Sequence, residues 1–200
     1  MKSKDKAPNQ EGITRKPFPK SKKIYLSGKI HPEIQVAMRE IHLSDTIDSI
    51  TKEKTSNQPV TVYDTSGPYT DPEKDIDIHV GIERIREKWI IRRKDVERLE
   101  NFSSEYCNKR LNDKNLDHMR FSLLKKPLRA KKNQNVTQLH YAKKGIITAE
   151  MEYIAIRENQ RIDEINEIKK QHKGEHFGAS IPKKITPEFV RSEVAMGRAV

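Results

Sequence analysis

Residues 135–160 read NVTQLHYAKKGIITAEMEYIAIRENQ, and this stretch says more about the protein than any other part of the chain. Residues 135–141 are predicted to form a short strand, followed by a basic turn that ends at Gly145. Thr148 is then the predicted N-cap of a long helix that continues to about residue 171, because its apolar residues recur at helical spacing. The stretch therefore predicts one short strand and one long helix.

The segments outside that stretch predict short strands and a helical middle. The predicted strands are residues 23–28, 33–43 and 60–63, and the predicted helices are one or two between residues 81 and 111 and one from Thr186 to Gly197. The connecting segments are residues 44–58, a loop or insertion; residues 64–72, a loop rich in turn formers; and residues 112–132, a basic connector. Together these elements predict an α+β fold without internal repeats.

The chain is predicted to have three parts. Residues 1–20 form a basic tail that we expect to be disordered, because it has too few apolar residues to offset the entropy of ordering. Residues 21–198 form the α+β domain, and residues 199–200 look like the start of a further strand. The hydrophobic content of 34% only equals the charged content, so we expect part of the apolar surface to pack against a partner.

The composition also indicates the cellular compartment of the protein. No apolar run approaches the roughly 20 residues that span a bilayer, and the first 25 residues lack the apolar centre of a secretory signal. The single cysteine, Cys107, excludes an intrachain disulfide and fits a reducing compartment. We therefore expect a soluble cytoplasmic protein with no membrane partner.

The net charge of +11 is concentrated in two segments. Residues 1–23 carry eight Lys/Arg and two acids, and residues 125–144 carry seven Lys/Arg and no acid. Such segments can bind nucleic acid phosphates through counterion release. Phe18 and Tyr141 are the only aromatic residues in them that could stack on bases. A solvated tail and a structural or subunit-contacting loop are therefore favoured over a nucleic-acid site.

The histidines do not define a metal site. His172 and His176 are one helical turn apart and could chelate a metal on a continuous helix, but Gly174 lies between them. His140 is expected to be packed and hydrogen-bonded in the predicted strand. No metal ligand is therefore assigned.

Carboxylates and hydroxyls likewise fail to converge on a catalytic site. The carboxylates are expected at a helix end or on a solvated face; they are Glu150 and Glu152, and Asp163, Glu164 and Glu167. The turn-rich loop presents Tyr63, Asp64, Ser66 and Tyr69 at a surface, but a close-packed domain-contact loop is its favoured role. No catalytic, cofactor-binding or substrate-binding residue is assigned.

Four other segments, together with residues 135–160, resemble one family in the same order along the chain. They are FPKSKKIYLSG at residues 18–28, VAMREIHLSDT at residues 36–46, PVTVYDTSGPYTDP at residues 59–72, and FGASIPKKITPEFVRSEVAMGRA at residues 177–199. The family is phosphomethylpyrimidine synthase (ThiC), and the resemblance is to its amino-terminal portion. Leu139 stands where the family has Met, and Ala149 where it has Pro.

The resemblance implies a radical S-adenosylmethionine enzyme, a carbon–carbon lyase of thiamine biosynthesis. In that family a [4Fe-4S] cluster cleaves S-adenosylmethionine, and the radical drives conversion of aminoimidazole ribotide to hydroxymethylpyrimidine phosphate. The chemistry occurs in a (β/α)8 barrel that also holds a metal ion, zinc, and the full-length enzyme is expected to be a homodimer. Residues 21–198 would be the α+β domain that precedes the barrel, and its expected roles are to pack on the barrel, contribute to a homodimer contact and cover the active site.

The sequence lacks the family's cysteine motif, C-x2-C-x4-C, which lies near the far carboxyl end of a longer chain. A cluster with one iron open to S-adenosylmethionine needs three thiolates, and Cys107 has no partner cysteine. We therefore expect the chain to lack the cluster and the barrel, and to be inactive alone. A chain cut at this point is also expected to expose Phe189, Val190 or Val194.

Two alternatives stay open at this stage. One is a small basic protein that binds nucleic acid or associates with the ribosome. The net positive charge is the sole argument for this alternative. The other is a stand-alone structural or regulatory remnant of the enzyme.

Overall fold

The computed structural model describes residues 20–77, 80–120, 125–161, 182 and 184–199. Its strands are β1 (Ser21–Ser27), β2 (Gln35–Ile41), β3 (Thr46–Ile47), β4 (Lys54–Thr55), β5 (Val60–Tyr63), β6 (Val96–Arg98) and β7 (Leu128–Ala130). Its α-helices are α1 (Glu87–Arg92), α2 (Glu105–Asn112), α3 (Gln138–Lys143), α4 (Ala149–Glu158) and α5 (Pro187–Ala195). Short 3-10 turns occupy Gly67–Thr70, Lys114–Met119 and Asn159–Arg161. The strands form three small open sheets in the described residues, which confirms the predicted α+β class.

The chain divides into two compact units. The first comprises Met1–Asp75 and Met151–Val190, and the second comprises Ile76–Glu150 and Arg191–Val200. The predicted tail lies outside the described residues except for Lys20, and so does Val200. The predicted boundaries of the domain therefore stay a prediction.

The first unit is built on an antiparallel sheet in the order β1-β2-β5. Strand β1 pairs with β2 over its full length, and β5 pairs with the second half of β2, from Met38 opposite Tyr63 to Ile41 opposite Val60. Val36 and Met38 alternate along the central strand and are fully buried. All three predicted strands are confirmed: the ends of β1 and β2 are shifted by at most two residues, and β5 has the predicted bounds.

The segment predicted as a loop or insertion contains a small hairpin. Strands β3 and β4 pair through two residues each. Asp48 organises the turn between them, because its side chain accepts hydrogen bonds from the backbone N–H groups of Ile50 and Thr51, both at 2.7 Å. Such a turn needs only local hydrogen bonds, which explains why so polar a segment is ordered.

The second unit contains a strand where the spacing of apolar residues predicted a helix. Helices α1 and α2 are present, but Val96–Arg98 between them forms β6 and pairs with β7, Val96 opposite Ala130. The N–H of Leu99 extends the ladder by donating to the carbonyl of Pro127. Hydrogen bonds to a segment about 30 residues away thus override the helical pattern.

Residues 135–141 do not form the predicted strand. Thr137 instead caps α3, accepting a hydrogen bond on its side chain from the N–H of His140 at 3.2 Å. Gly145 ends this short helix with a positive φ of 76°, a conformation that suits glycine. The run was too short for its residue pattern to distinguish a strand from one helical turn.

The two later helices begin where the sequence predicted. Helix α4 starts at Ala149, directly after Thr148, and residues 162–171 of the predicted long helix lie outside the described part. Thr186 precedes α5 and accepts from the N–H of Phe189 at 3.0 Å, and Gly197 follows that helix with φ 73°. The expectation that Phe189, Val190 or Val194 is exposed is wrong, because Val190 and Val194 are each only 6% exposed and Phe189 is half-buried.

No helix in the described ranges is long and apolar enough to cross a membrane.

Candidate functional site

The loop that follows β5 is organised around one buried carboxylate, Asp64. One carboxylate oxygen, Oδ2, accepts from Arg39 at 2.8 Å and from Lys23 at 3.2 Å. The other, Oδ1, accepts from the backbone N–H of Ser66 at 2.8 Å and from the Ser66 hydroxyl. The side chains of Lys23, Arg39 and Asp64 are only 3%, 9% and 3% exposed. Strands β1 and β2 thus place two buried cations against the first residue of the loop.

The rest of the loop is tied to the same cluster. Thr70 accepts on its hydroxyl from Arg39 at 2.6 Å, and Lys23 also donates to the carbonyl of Gly67 at 2.5 Å. Asp71, which is 4% exposed, accepts from the hydroxyl of Tyr25. These buried polar groups are hydrogen-bonded to one another, so their burial leaves few donors or acceptors without a partner.

The electrostatics of the cluster favour a charged Asp64. Burial alone raises the pKa of this carboxyl, but hydrogen bonds from Ser66 and Lys23 outweigh burial and lower the pKa to about 2. Burial and the hydrogen bond to Asp71 raise the pKa of Tyr25 above its ordinary value. Asp64 is therefore an anion and Tyr25 a neutral donor at neutral pH.

The predicted surface of hydroxyl and carboxylate groups on this loop is mostly turned inward. Asp64 is buried, and Tyr63 and Ser66 are half-buried, whereas Tyr69 is 43% exposed. Within the described residues, the Asp64 anion is paired with two cations and bonded to Ser66, and the Tyr25 hydroxyl donates to Asp71. This arrangement suits the fixing of the loop's shape and not nucleophilic or acid–base catalysis.

A second buried carboxylate, Glu152, belongs to the first unit and is 2% exposed. Its Oε1 accepts from the backbone N–H groups of Lys29 at 2.6 Å and Ile30 at 2.8 Å, and its Oε2 accepts from His31 at 2.7 Å. Three successive N–H groups that converge on one anion form a backbone nest. Helix α4 is thereby attached to the loop between β1 and β2.

Gly28 allows this close approach. A Cβ atom at this position would lie 2.8 Å from Oε2 of Glu152 and would also collide with the carbonyl of His31. Any larger residue at position 28 would therefore displace either the carboxylate or the loop.

Glu150 forms a separate cluster within the second unit. Its carboxylate accepts from Arg93 at 2.9 Å and from Arg86 at 3.1 Å. Burial raises the pKa of Glu150, but the hydrogen bonds from Arg93 and Arg86 oppose it and the net pKa is lowered. Glu150 and Glu152 do lie in the first turn of a helix, but the alternative of a solvated face is wrong for both.

A tyrosine stands beside that cluster. The Tyr141 hydroxyl donates to Asp95, and the guanidinium of Arg93 lies 5.2 Å from the centre of the Tyr141 ring. Burial and the hydrogen bond to Asp95 raise the pKa of Tyr141 to about 12. Tyr141 is buried in helix α3, so it is not available to stack on a base.

The residues considered for metal binding are not brought together in the described part of the chain. His172 and His176 lie outside the described residues, as do Asp163, Glu164 and Glu167, the carboxylates considered for acid–base catalysis. His140 is half-buried on α3 and makes an edge contact with the ring of Tyr141. Within the described ranges no three His, Cys, Asp or Glu side chains are grouped so as to hold a metal ion.

Sequence reasoning missed the two cations that bind Asp64. A signal was present at Arg39, which directly follows the apolar residues Val36, Ala37 and Met38 on β2, because a charged residue in such surroundings is buried only when it is paired. The sequence did not reveal which residue pairs with them, because Asp64 is 25 residues from Arg39 and 41 from Lys23.

One family model matches the chain, over residues 17–97, and it is described as the ThiC-associated domain. The matched residues include the entire cluster around Asp64, with Lys23, Arg39 and Asp71. The match supports the assignment of residues 17–97 to the amino-terminal region of the ThiC family.

Proposed function

We propose that this chain is the amino-terminal part of phosphomethylpyrimidine synthase and serves thiamine biosynthesis. The match of residues 17–97 to the ThiC-associated domain carries this proposal. Residues 135–160 and 177–199 resemble later segments of the same enzyme, in the same order along the chain, and this resemblance adds support to the proposal. The full enzyme would use S-adenosylmethionine to convert aminoimidazole ribotide to hydroxymethylpyrimidine phosphate.

The role of this chain in that reaction is to provide structural support. The clusters around Asp64, Glu150 and Glu152 bury charge to fix loops and a helix end, which is how a domain keeps a surface in one shape. Such a surface suits packing against the barrel of the enzyme. The homodimer of the full enzyme is part of the same proposal.

The residues of this chain do not fit the enzyme's iron–sulfur cluster. A cluster that leaves one iron open needs three thiolates, and the sequence has one cysteine, Cys107. The described ranges likewise bring together no three side chains suited to zinc. We therefore propose that the remainder of the enzyme supplies the cluster, S-adenosylmethionine and metal sites, and that this chain alone is inactive.

Complementation in trans tests the proposal. The purified chain is mixed with a ThiC enzyme that lacks its amino-terminal region, under anaerobic and reducing conditions, with S-adenosylmethionine and aminoimidazole ribotide. We expect neither part alone, but both together, to form 5′-deoxyadenosine and hydroxymethylpyrimidine phosphate. An unrelated basic protein of equal charge is the control. Failure of the two parts to associate and to restore product would contradict the proposal.

A further inference from the structure

The loop between β1 and β2 has the chemistry of an anion receptor. The N–H groups of Lys29, Ile30 and His31 all point at one carboxylate, with donor–acceptor distances of 2.6–2.8 Å. These distances are typical of charge-assisted hydrogen bonds. The ligand is not a neighbour in sequence, because Glu152 follows His31 by 121 residues.

The receptor is built closely around its ligand. Glu152 is 2% exposed, and Gly28 approaches it so closely that even a Cβ atom would lie 2.8 Å from Oε2. Ile34 anchors the other side of the loop, since it is fully buried and its N–H donates to the carbonyl of His31 at 3.0 Å. All three donors come from the backbone, so the receptor's chemistry does not depend on the side chains of residues 29–31.

We infer that the loop formed by residues 28–31 is a binding site for small carboxylates, and that Glu152 occupies it as a tethered ligand. The loop recognises the carboxylate group itself, because the three hydrogen bonds are made to its two oxygens. A free carboxylate of the right size therefore takes the place of the Glu152 side chain when that side chain is removed. The inference is independent of the proposed enzymatic function.

Acetate is the matching free ligand. A Glu152→Ala substitution removes two carbons and two oxygens beyond Cβ, and acetate has the same four heavy atoms. A ligand of four heavy atoms can reach at best roughly 40 μM affinity, so about 0.01–100 mM acetate is the range to test. Acetamide has the same shape but no charge, and its NH2 group would face an N–H donor of the loop.

The test is amide hydrogen exchange of the 200-residue chain, followed at Lys29, Ile30 and His31. Glu152→Ala is expected to raise their exchange rates at least tenfold, and acetate is expected to restore protection in a saturable way. Acetamide, and sodium chloride at equal ionic strength, are expected to restore none. Glu158→Ala is the matched control on the same helix, because Glu158 is 42% exposed and bonds its neighbour Arg157. This control is expected to leave the three amides protected.

A second variant keeps the inference testable if Glu152→Ala does not fold. Glu152→Gln fills the site with a neutral amide, so the three N–H groups are expected to exchange faster than in the wild type and to ignore acetate. Wild-type protection in Glu152→Gln would overturn the inference. So would an acetate response in Glu152→Ala that acetamide or chloride reproduces.

Discussion

Asp64 joins Lys23 and Arg39 through a single carboxylate oxygen, at 3.2 and 2.8 Å, in a region that is almost free of solvent. Asp64→Asn removes the anion and leaves two buried cations without a counter-charge. Breaking a buried ion pair in this way costs about 3–5 kcal/mol. We expect that loss in the free energy of unfolding, measured by urea denaturation at pH 7. Asp45→Asn, at an exposed aspartate, is the control and should change stability little.

The same carboxyl gives the protein a pH dependence at the residue scale. The pKa of Asp64 is about 2 in the folded chain and near its ordinary 3.8 in the unfolded chain, so folding favours the charged form. The stabilisation is complete above the unfolded pKa and is lost as pH falls through the folded one. The difference in unfolding free energy between wild type and Asp64→Asn should therefore be constant from pH 7 to about 5 and shrink between about pH 4 and 2. A difference that grows on acidification would contradict this sign.

At the scale of one element, the N-cap residue Thr186 stabilises helix α5. Its hydroxyl accepts from the N–H of Phe189 at 3.0 Å, so Thr186→Ala leaves that N–H without its cap. We expect a loss of about 1 kcal/mol in the free energy of unfolding and faster exchange of the Phe189 amide. Thr186→Ser retains the hydroxyl and should keep most of the stability. An equal loss in both variants would show that the threonine methyl group matters and not the cap.

At the scale of the whole molecule, the net charge of +11 predicts salt-sensitive association with nucleic acid. If the basic segments only neutralise phosphates, the affinity for a labelled oligonucleotide should be independent of its sequence and fall steeply between about 50 and 200 mM salt. Fluorescence anisotropy measures this. Tight, sequence-dependent binding at physiological salt would instead require contacts to bases or to nucleic acid shape. That result would favour the nucleic-acid-binding alternative over the enzyme-domain proposal.

The cysteine content gives a second prediction for the whole molecule. With Cys107 as its one thiolate, the chain should not retain a [4Fe-4S] cluster after anaerobic reconstitution. Iron analysis and visible absorption measure the uptake, and Cys107→Ala is expected to behave like the wild type. Stoichiometric, oxygen-sensitive uptake that depends on Cys107 would point to a cluster shared between copies of the chain.

The sequence by itself determined the elements whose signals are local. The strand at Val60–Tyr63 has the residues that favour strands, and Thr186-Pro187 combines a capping hydroxyl with a proline at the first helical position. The α+β class follows from such signals. The order of residues along the chain also carries the match of residues 17–97 to the ThiC-associated domain. Local residue order carries this information because caps, turns and strand propensities depend on near neighbours.

Only the tertiary structure decided the features that depend on distant residues. Val96–Arg98 is a strand because β7 pairs with it, although its residue spacing is helical. The cations at Lys23 and Arg39 acquire a role only when folding brings Asp64 to them. In the sequence, Glu152 is indistinguishable from any other carboxylate in the first turn of a helix. Only the fold shows that the backbone N–H groups of residues 29–31 donate to it. In each case the deciding hydrogen bonds join residues that are more than 20 positions apart, and no local pattern specifies such a partner.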